Sequence, residues 1–406
     1  MGKGIDGIPI LHLETLNKLV SKMPKSPDTF FVNKFGTDKW DSDTVKWDKE
    51  YGSAGMTPFV APGAPAPSIG LDGYGEGSAK VAYFKEKMFF DEELLNNLRQ
   101  VGTNKKMRGE KQIARGVNKL SLRIDRRREW MCCQMAVHGE LTYTQKGGTK
   151  IHVDYGIPED NKITLADNRK WGTGADRNPI EDIYDAKQAY SENLGKSPDY
   201  TLCNSTVLKL LMFDTKLQDM LKKSAFGDGD LFANPERVIG NLIGVGPLAI
   251  YDEFYEVPGW LVQSVSTSDT EIFVEDATDF AVGGTLYFWK MAEPLSKETR
   301  TITDVDVVAG KLTIDSAPSK TYKARFDKVW MRRKYVDDNV FHLGSWTKDG
   351  APVAEVAEAP YGLKGSYGKF IDRKEEWDPD GIFVRAQDKA FPLLYHPDTM
   401  MKLTVQ

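Results

Sequence analysis

The stretch RGEKQIARGVNKLSLRIDRRREWMCCQMAVH, residues 108–138, decides how this chain of 406 residues is read. Ile113, Val117, Leu120, Ile124, Met131 and Met135 recur at intervals of three, four and seven, which places them on one face of a helix. Lys111, Arg115, Lys119, Arg123, Arg126, Arg127 and Arg128 occupy the other faces. A helix over this stretch would run roughly 45 Å at 1.5 Å per residue, beyond the usual length in a globular protein. Two short polar strands follow, Gly139-Glu-Leu-Thr-Tyr143 and Ile151-His-Val-Asp-Tyr-Gly-Ile-Pro158.

The order Arg126-Arg-Arg-Glu-Trp-Met131, His138-Gly-Glu-Leu-Thr142, Val153-Asp-Tyr-Gly156 resembles the spine-helix region of major capsid proteins of tailed bacteriophages, the lambda-like group with the HK97 fold. Met56-Thr-Pro-Phe-Val-Ala-Pro62 resembles the matching run of the extended loop in that group. Asn339-Val-Phe-His-Leu-Gly344 and the apolar pair around Pro397-Asp398 resemble its closing strands. Each motif alone has low specificity; their order and spacing carry the resemblance. It implies an α+β fold with an N-terminal arm, an extended β-hairpin loop, a long spine helix and an axial domain.

Outward from the helix, the chain divides as follows. Residues 1–43 form an arm with one short helix through Leu11, Leu13, Leu16, Leu19 and Val20, ended by Met23-Pro-Lys-Ser-Pro27. Its Phe30, Phe31, Phe35 and Trp40 follow no period and are expected to dock on the same subunit or on a neighbour. Residues 44–90 read as a long two-stranded excursion, with Thr44-Val-Lys-Trp-Asp48 and residues 80–88 alternating as strands. The Gly- and Pro-rich runs 61–67 and 70–77 lie between them. A loop this long suits a segment that projects and pairs with another chain. Residues 91–165 hold the spine helix in a peripheral domain, and 166–262 alternate strand and helix as an axial domain. Residues 263–335 switch to short alternating strands with turns at Ala281-Val-Gly-Gly284 and Ala309-Gly310, expected to be an inserted small all-β domain. Residues 336–406 return to the axial and peripheral domains.

Composition sets outer bounds. Hydrophobic content of 40% and charged content of 28% are those of a folded protein. A net charge of -5 argues against a dedicated nucleic-acid binder, whose affinity comes from a basic surplus. No window holds the ~18 apolar residues that span a bilayer, and residues 1–9 lack the apolar run of a signal peptide. Asp6 stands where a myristoylation signal wants Ser or Thr. Cys132, Cys133 and Cys203 are odd in number and two are adjacent, which suits a reducing compartment better than a disulfide framework.

Several patterns imitate catalytic sites. Gly195-Lys-Ser197 resembles the end of a phosphate loop, but Tyr190 replaces the required glycine and Pro198 blocks the helix, so a helix C-cap is the better reading. Phe226-Gly-Asp-Gly-Asp230 lacks the later acid of a calcium loop and reads as a polar turn. His12, His138, His152, His342 and His396 are scattered, with no ligand spacing to one another or to cysteine. Asn204-Ser-Thr is a glycosylation sequon in form and a helix cap in context. The basic stretch 105–128 has three open readings: a solvated face, a partner for a neighbour's acidic chain such as Asp91-Glu-Glu93, or a contact with packaged DNA.

The resemblance therefore implies a structural shell protein with no enzymatic activity, no cofactor and no metal. Its partners would be itself, as pentamers and hexamers of an icosahedral head, then scaffolding, portal and decoration proteins, and double-stranded DNA held non-specifically. No membrane is implied. The protein would assemble in the host cytoplasm and end in the virion. Candidate subunit-interface residues are Trp47, Met56, Phe59 and Tyr83 on the loop and Arg126, Arg127 and Arg128 on the helix. Two other functions stand beside this one: an encapsulin-like protein compartment, and a carbohydrate- or partner-binding protein that uses its all-β segment.

Overall fold

A computed structural model describes residues 9–22, 29–52, 56–60, 65, 73–99, 104–144, 150–223, 234–244, 248–290, 292–324, 326–362, 365–377 and 380–406. The proline-containing end of the arm helix (23–27), the myristoylation position, the calcium-like turn (226–230) and most of the Gly- and Pro-rich runs lie outside them.

The spine helix is α-helical over Asn104–Cys133, then opens into one wider π turn, Gln134–His138, and stops at Gly139. It starts four residues before Arg108, where the sequence pattern places its beginning. Ile113, Val117, Leu120 and Ile124 are all buried. They pack with Phe90, Ile371, Ile382 and Val384 of a five-stranded sheet and with Leu11, Leu16 and Val20 of the arm. Burying four such side chains contributes roughly 1.5–3 kcal/mol each, which anchors the helix across the sheet.

That sheet is organised by one long strand, Asp380–Leu394, which pairs with Ala82–Asp91, Ala354–Glu358 and Phe370–Trp377; Gly36–Lys39 adds to Ala354–Glu358 in parallel. The hairpin expected from residues 44–48 and 80–88 is paired differently. Thr44–Tyr51 pairs with Gly73–Lys80, and residues 82–91 belong to the five-stranded sheet. The glycines explain the choice: a Cβ at Gly77 would collide with the indole of its cross-strand partner Trp47.

A second sheet runs in the order Lys162–Thr164, Met400–Thr404, Val340–Gly344, Tyr200–Cys203, Leu248–Ile250. The helices Pro179–Leu194, Ser205–Met212, Thr215–Lys222 and Pro235–Ile243 supply much of the apolar core around it. The arm aromatics dock on this same subunit. Phe31 and Phe35 are buried, and Phe30 packs edge-on against Tyr200, which stacks on Trp346 at 4.1 Å.

Residues 254–334 form a six-stranded antiparallel sheet with its own apolar cluster, including Ile272, Phe288, Leu312 and Val329. The expected boundary at 263 falls inside it. Phe254–Trp260 is an edge strand paired with Lys328–Lys334, and it turns Val257 and Gly259 inward.

Candidate assembly interface

The arginine triplet is split by the helical geometry. Arg128 is buried, with its Nε 2.5 Å from one oxygen of Asp388 and a terminal nitrogen 2.8 Å from the other. A further bond of 2.7 Å reaches Glu358. Burial alone would lower the Arg128 pKa; Asp388 and Glu358 more than reverse this and raise it. Arg128 is therefore engaged by carboxylates of its own chain. The long strand lies under the helix here, so position 128 faces a buried carboxylate. Arg127 forms a half-buried pair with Asp279 of the six-stranded sheet. Arg126 keeps intermediate exposure.

Sequence reasoning missed the residue beside them. Glu129 is fully buried. One carboxylate oxygen accepts the backbone N–H groups of Phe30 (2.9 Å) and Phe31 (3.0 Å) and the Tyr251 hydroxyl (3.0 Å), and the other accepts Val32 N–H at 2.9 Å. The spine helix thus clamps the arm through one side chain. Burial pushes the Glu129 pKa up against these bonds, which pull it down. Asp125, one turn earlier, accepts the Lys369 ammonium at 2.9 Å. The spacing 125, 128, 129 sets all three charges on one face, but their partners are too distant in sequence to be inferred from it.

On the loop, Trp47 is also internal. Its indole N–H donates to Leu394 O at 3.1 Å and its ring lies against Tyr155 and Phe391. The strand alternation turns Trp47 onto the long strand. Tyr83 is partly exposed and donates to Gln387 at 2.8 Å. Met56 and Phe59 are 87% and 102% exposed, uncovered by the described residues.

Among the described residues, several of the catalytic look-alikes resolve into structure. Gly195 adopts φ +67° and caps the helix Pro179–Leu194, closing on Ser191 O. Asn204 is buried and its side chain accepts Val207 N–H as an N-cap. His342 is buried in a sheet strand, where desolvation pulls its pKa down to about 3. Cys132, Cys133 and Cys203 are buried free thiols, and burial pushes all three pKa values up. Among the described residues no cluster of His, Cys, Asp or Glu is arranged to hold a metal, and no helix is long and apolar enough to cross a membrane.

A long helix laid across a sheet, an arm clamped to it and a hairpin left uncovered are the parts of a subunit built to meet other subunits. Residues 12–311 match the family model described as phage major capsid protein E. The chain belongs to that family. The phage major capsid protein has a structural role, its copies assemble into the capsid shell, and its place is the virion. Solved structures agree on the HK97-like fold. A phage-related protein from Bordetella bronchiseptica RB50 aligns over 96% of each chain with TM-score 0.54 and 12% identity. A protein assigned as the capsid protein of an E. coli CFT073 prophage aligns over 97% of this chain and 99% of its own, with TM-score 0.54 and 12% identity. No curated protein sequence matches.

Proposed function

We propose that this capsid protein forms pentamers and hexamers of an icosahedral phage head around double-stranded DNA, assembled in the host cytoplasm with scaffolding and portal proteins and a decoration protein on the finished shell. The observation that carries this reading is the bare Met56 and Phe59 beyond the end of the Thr44–Tyr51 and Gly73–Lys80 hairpin. Covering each on a neighbour would gain about 1.5–3 kcal/mol, repeated at every subunit contact. Tyr83 and Arg126 are further candidates for contacts between subunits. Residues 254–334 serve as an inserted, exposed all-β domain of the shell.

Expression of the full chain followed by electron microscopy and nuclease digestion tests the reading. Closed shells that protect DNA when formed in phage-infected cells support it. Shells that enclose only protein point to an encapsulin-like compartment. The Met56→Ser/Phe59→Ser variant should stay folded and yield few shells. The isolated fragment 254–334 should give dispersed amide signals.

A further inference from the structure

The outward face of the six-stranded sheet alternates aromatic and basic side chains. Tyr287 pairs across strands with Trp330, Trp289 with Lys328, and Trp260 with Lys328 on its other side. The intervening Leu286, Phe288, Val329 and Met331 point inward and are fully buried. Facing this surface across a cleft of about 770 Å³ is the basic edge of the spine helix, with Lys119, Arg123 and Arg126.

The cleft has positive charge to spare. Five carboxylates line it, Glu86, Glu256, Glu275, Asp276 and Asp279, against seven cations, Lys85, Lys119, Arg123, Arg126, Arg127, Lys297 and Lys328. Glu86, Glu256 and Asp279 are tied to Arg123, Arg332 and Arg127 respectively. Lys119, Lys297 and Lys328 have no carboxylate within ion-pair distance among the described residues. The Lys328 ammonium is held below its ordinary pKa, first by burial and then by Lys119 and Arg123. The ring faces are already in use: the Lys328 amine stands 4.9 Å above Trp289 and the Lys297 amine 5.8 Å above Trp330. Amine-covered rings favour carboxylates over stacked nucleic-acid bases.

The same chain displays the complement. The strands Phe370–Trp377 and Asp380–Leu394 end in the cross-strand pair Trp377 and Asp380, preceded by Glu375 and Glu376. Glu376 pairs with Lys374 at 3.3 Å across an exposed surface, and Trp377 is 86% exposed at the end of the hairpin. A lone exposed tryptophan beside acids is a poor surface residue and a strong interface anchor. It cannot fold back onto its own cleft. The long strand meets the cleft where Ala386 pairs with Glu86, six residues beyond Asp380 at the hairpin end, a span of roughly 20 Å along the strand.

We propose that the acidic hairpin end carrying Trp377 seats in the Lys119–Lys328–Trp289 cleft of a second copy. Different patches on each copy make this a heterologous contact, which closes into rings when the rotation allows. The inference rests on the self-assembly of the family.

The test uses the full chain. Wild type, Trp377→Ala and Lys119→Glu/Lys328→Glu are compared for the protein concentration at half-assembly, with circular dichroism confirming folded subunits. Each variant should raise that concentration by about tenfold or more, as hot-spot truncations do. Adding Glu375→Lys/Glu376→Lys to the lysine variant should recover assembly. A Trp377→Cys/Lys328→Cys chain, mildly oxidised after assembly, should give inter-subunit disulfide ladders on a non-reducing gel that neither single variant gives. This readout also decides the case if the charge variants fail to fold. Unchanged half-assembly of Trp377→Ala, or no ladder from assembled double-cysteine chain, overturns the contact. Wild-type chain that forms no shells overturns self-assembly instead.

Discussion

The two halves of the spine helix meet the same sheet by opposite means. The N-terminal half buries Ile113, Val117, Leu120 and Ile124, a stripe that any apolar surface of the right shape could receive. The C-terminal half buries Asp125, Arg128 and Glu129, and each needs one particular partner in one place. The first half supplies hydrophobic stabilisation. The second contributes little net free energy, because desolving ions offsets their attraction, but it penalises any other register of helix, sheet and arm. For a subunit that must present the same surfaces to every neighbour, such pins are useful.

The largest effect should come from the apolar half. Val117→Asp buries a carboxylate with no partner, and we expect a loss of about 4 kcal/mol or more, read as an unfolded subunit by circular dichroism. Next comes Arg128→Met, which leaves Asp388 buried and unpaired. A loss of about 3–5 kcal/mol in denaturant unfolding is expected. A near-neutral result would break the comparison, since it would mean the ion cluster does not pin the helix.

Glu129→Gln sharpens it further. An amide cannot accept on both sides, so its NH2 group would oppose either Val32 N–H or the Phe30 and Phe31 N–H groups. About 1–3 kcal/mol should be lost, with faster proteolysis of the arm. The pH dependence follows from the raised Glu129 pKa. The folded chain holds this proton more tightly than the unfolded chain. Its contribution is therefore greatest at acid pH and declines as pH rises above about 4.5 through the folded value. Unfolding titrations across that range should show this decline in the wild type and not in Glu129→Gln. The smallest effect belongs to Arg127→Ala, whose half-exposed pair with Asp279 is worth about 1 kcal/mol or less.

The apolar half was legible because a helical period is written locally. So were the short all-β strands, the Asn204 cap and the Gly195 C-cap. Arg128 and Glu129 were not legible as internal residues. Asp388 and Glu358 lie more than two hundred residues away, and Glu129 is satisfied by backbone N–H groups that leave no trace in side-chain pattern. The hairpin partner was hidden for a related reason. Gly73, Gly75 and Gly77 read as loop, yet Gly77 gives up its side chain to admit Trp47. The start of the six-stranded sheet was misplaced because Pro258 and Gly259 interrupt the strand pattern of Phe254–Trp260.

The most direct test of the whole account is an electron cryomicroscopy map of shells assembled from the expressed chain. Closed shells are expected in which Met56 and Phe59 are covered by a neighbouring subunit while Arg128 and Glu129 keep their partners within their own. A chain that stays monomeric, or shells in which Met56 and Phe59 remain bare and Arg128 reaches a neighbour, would contradict it.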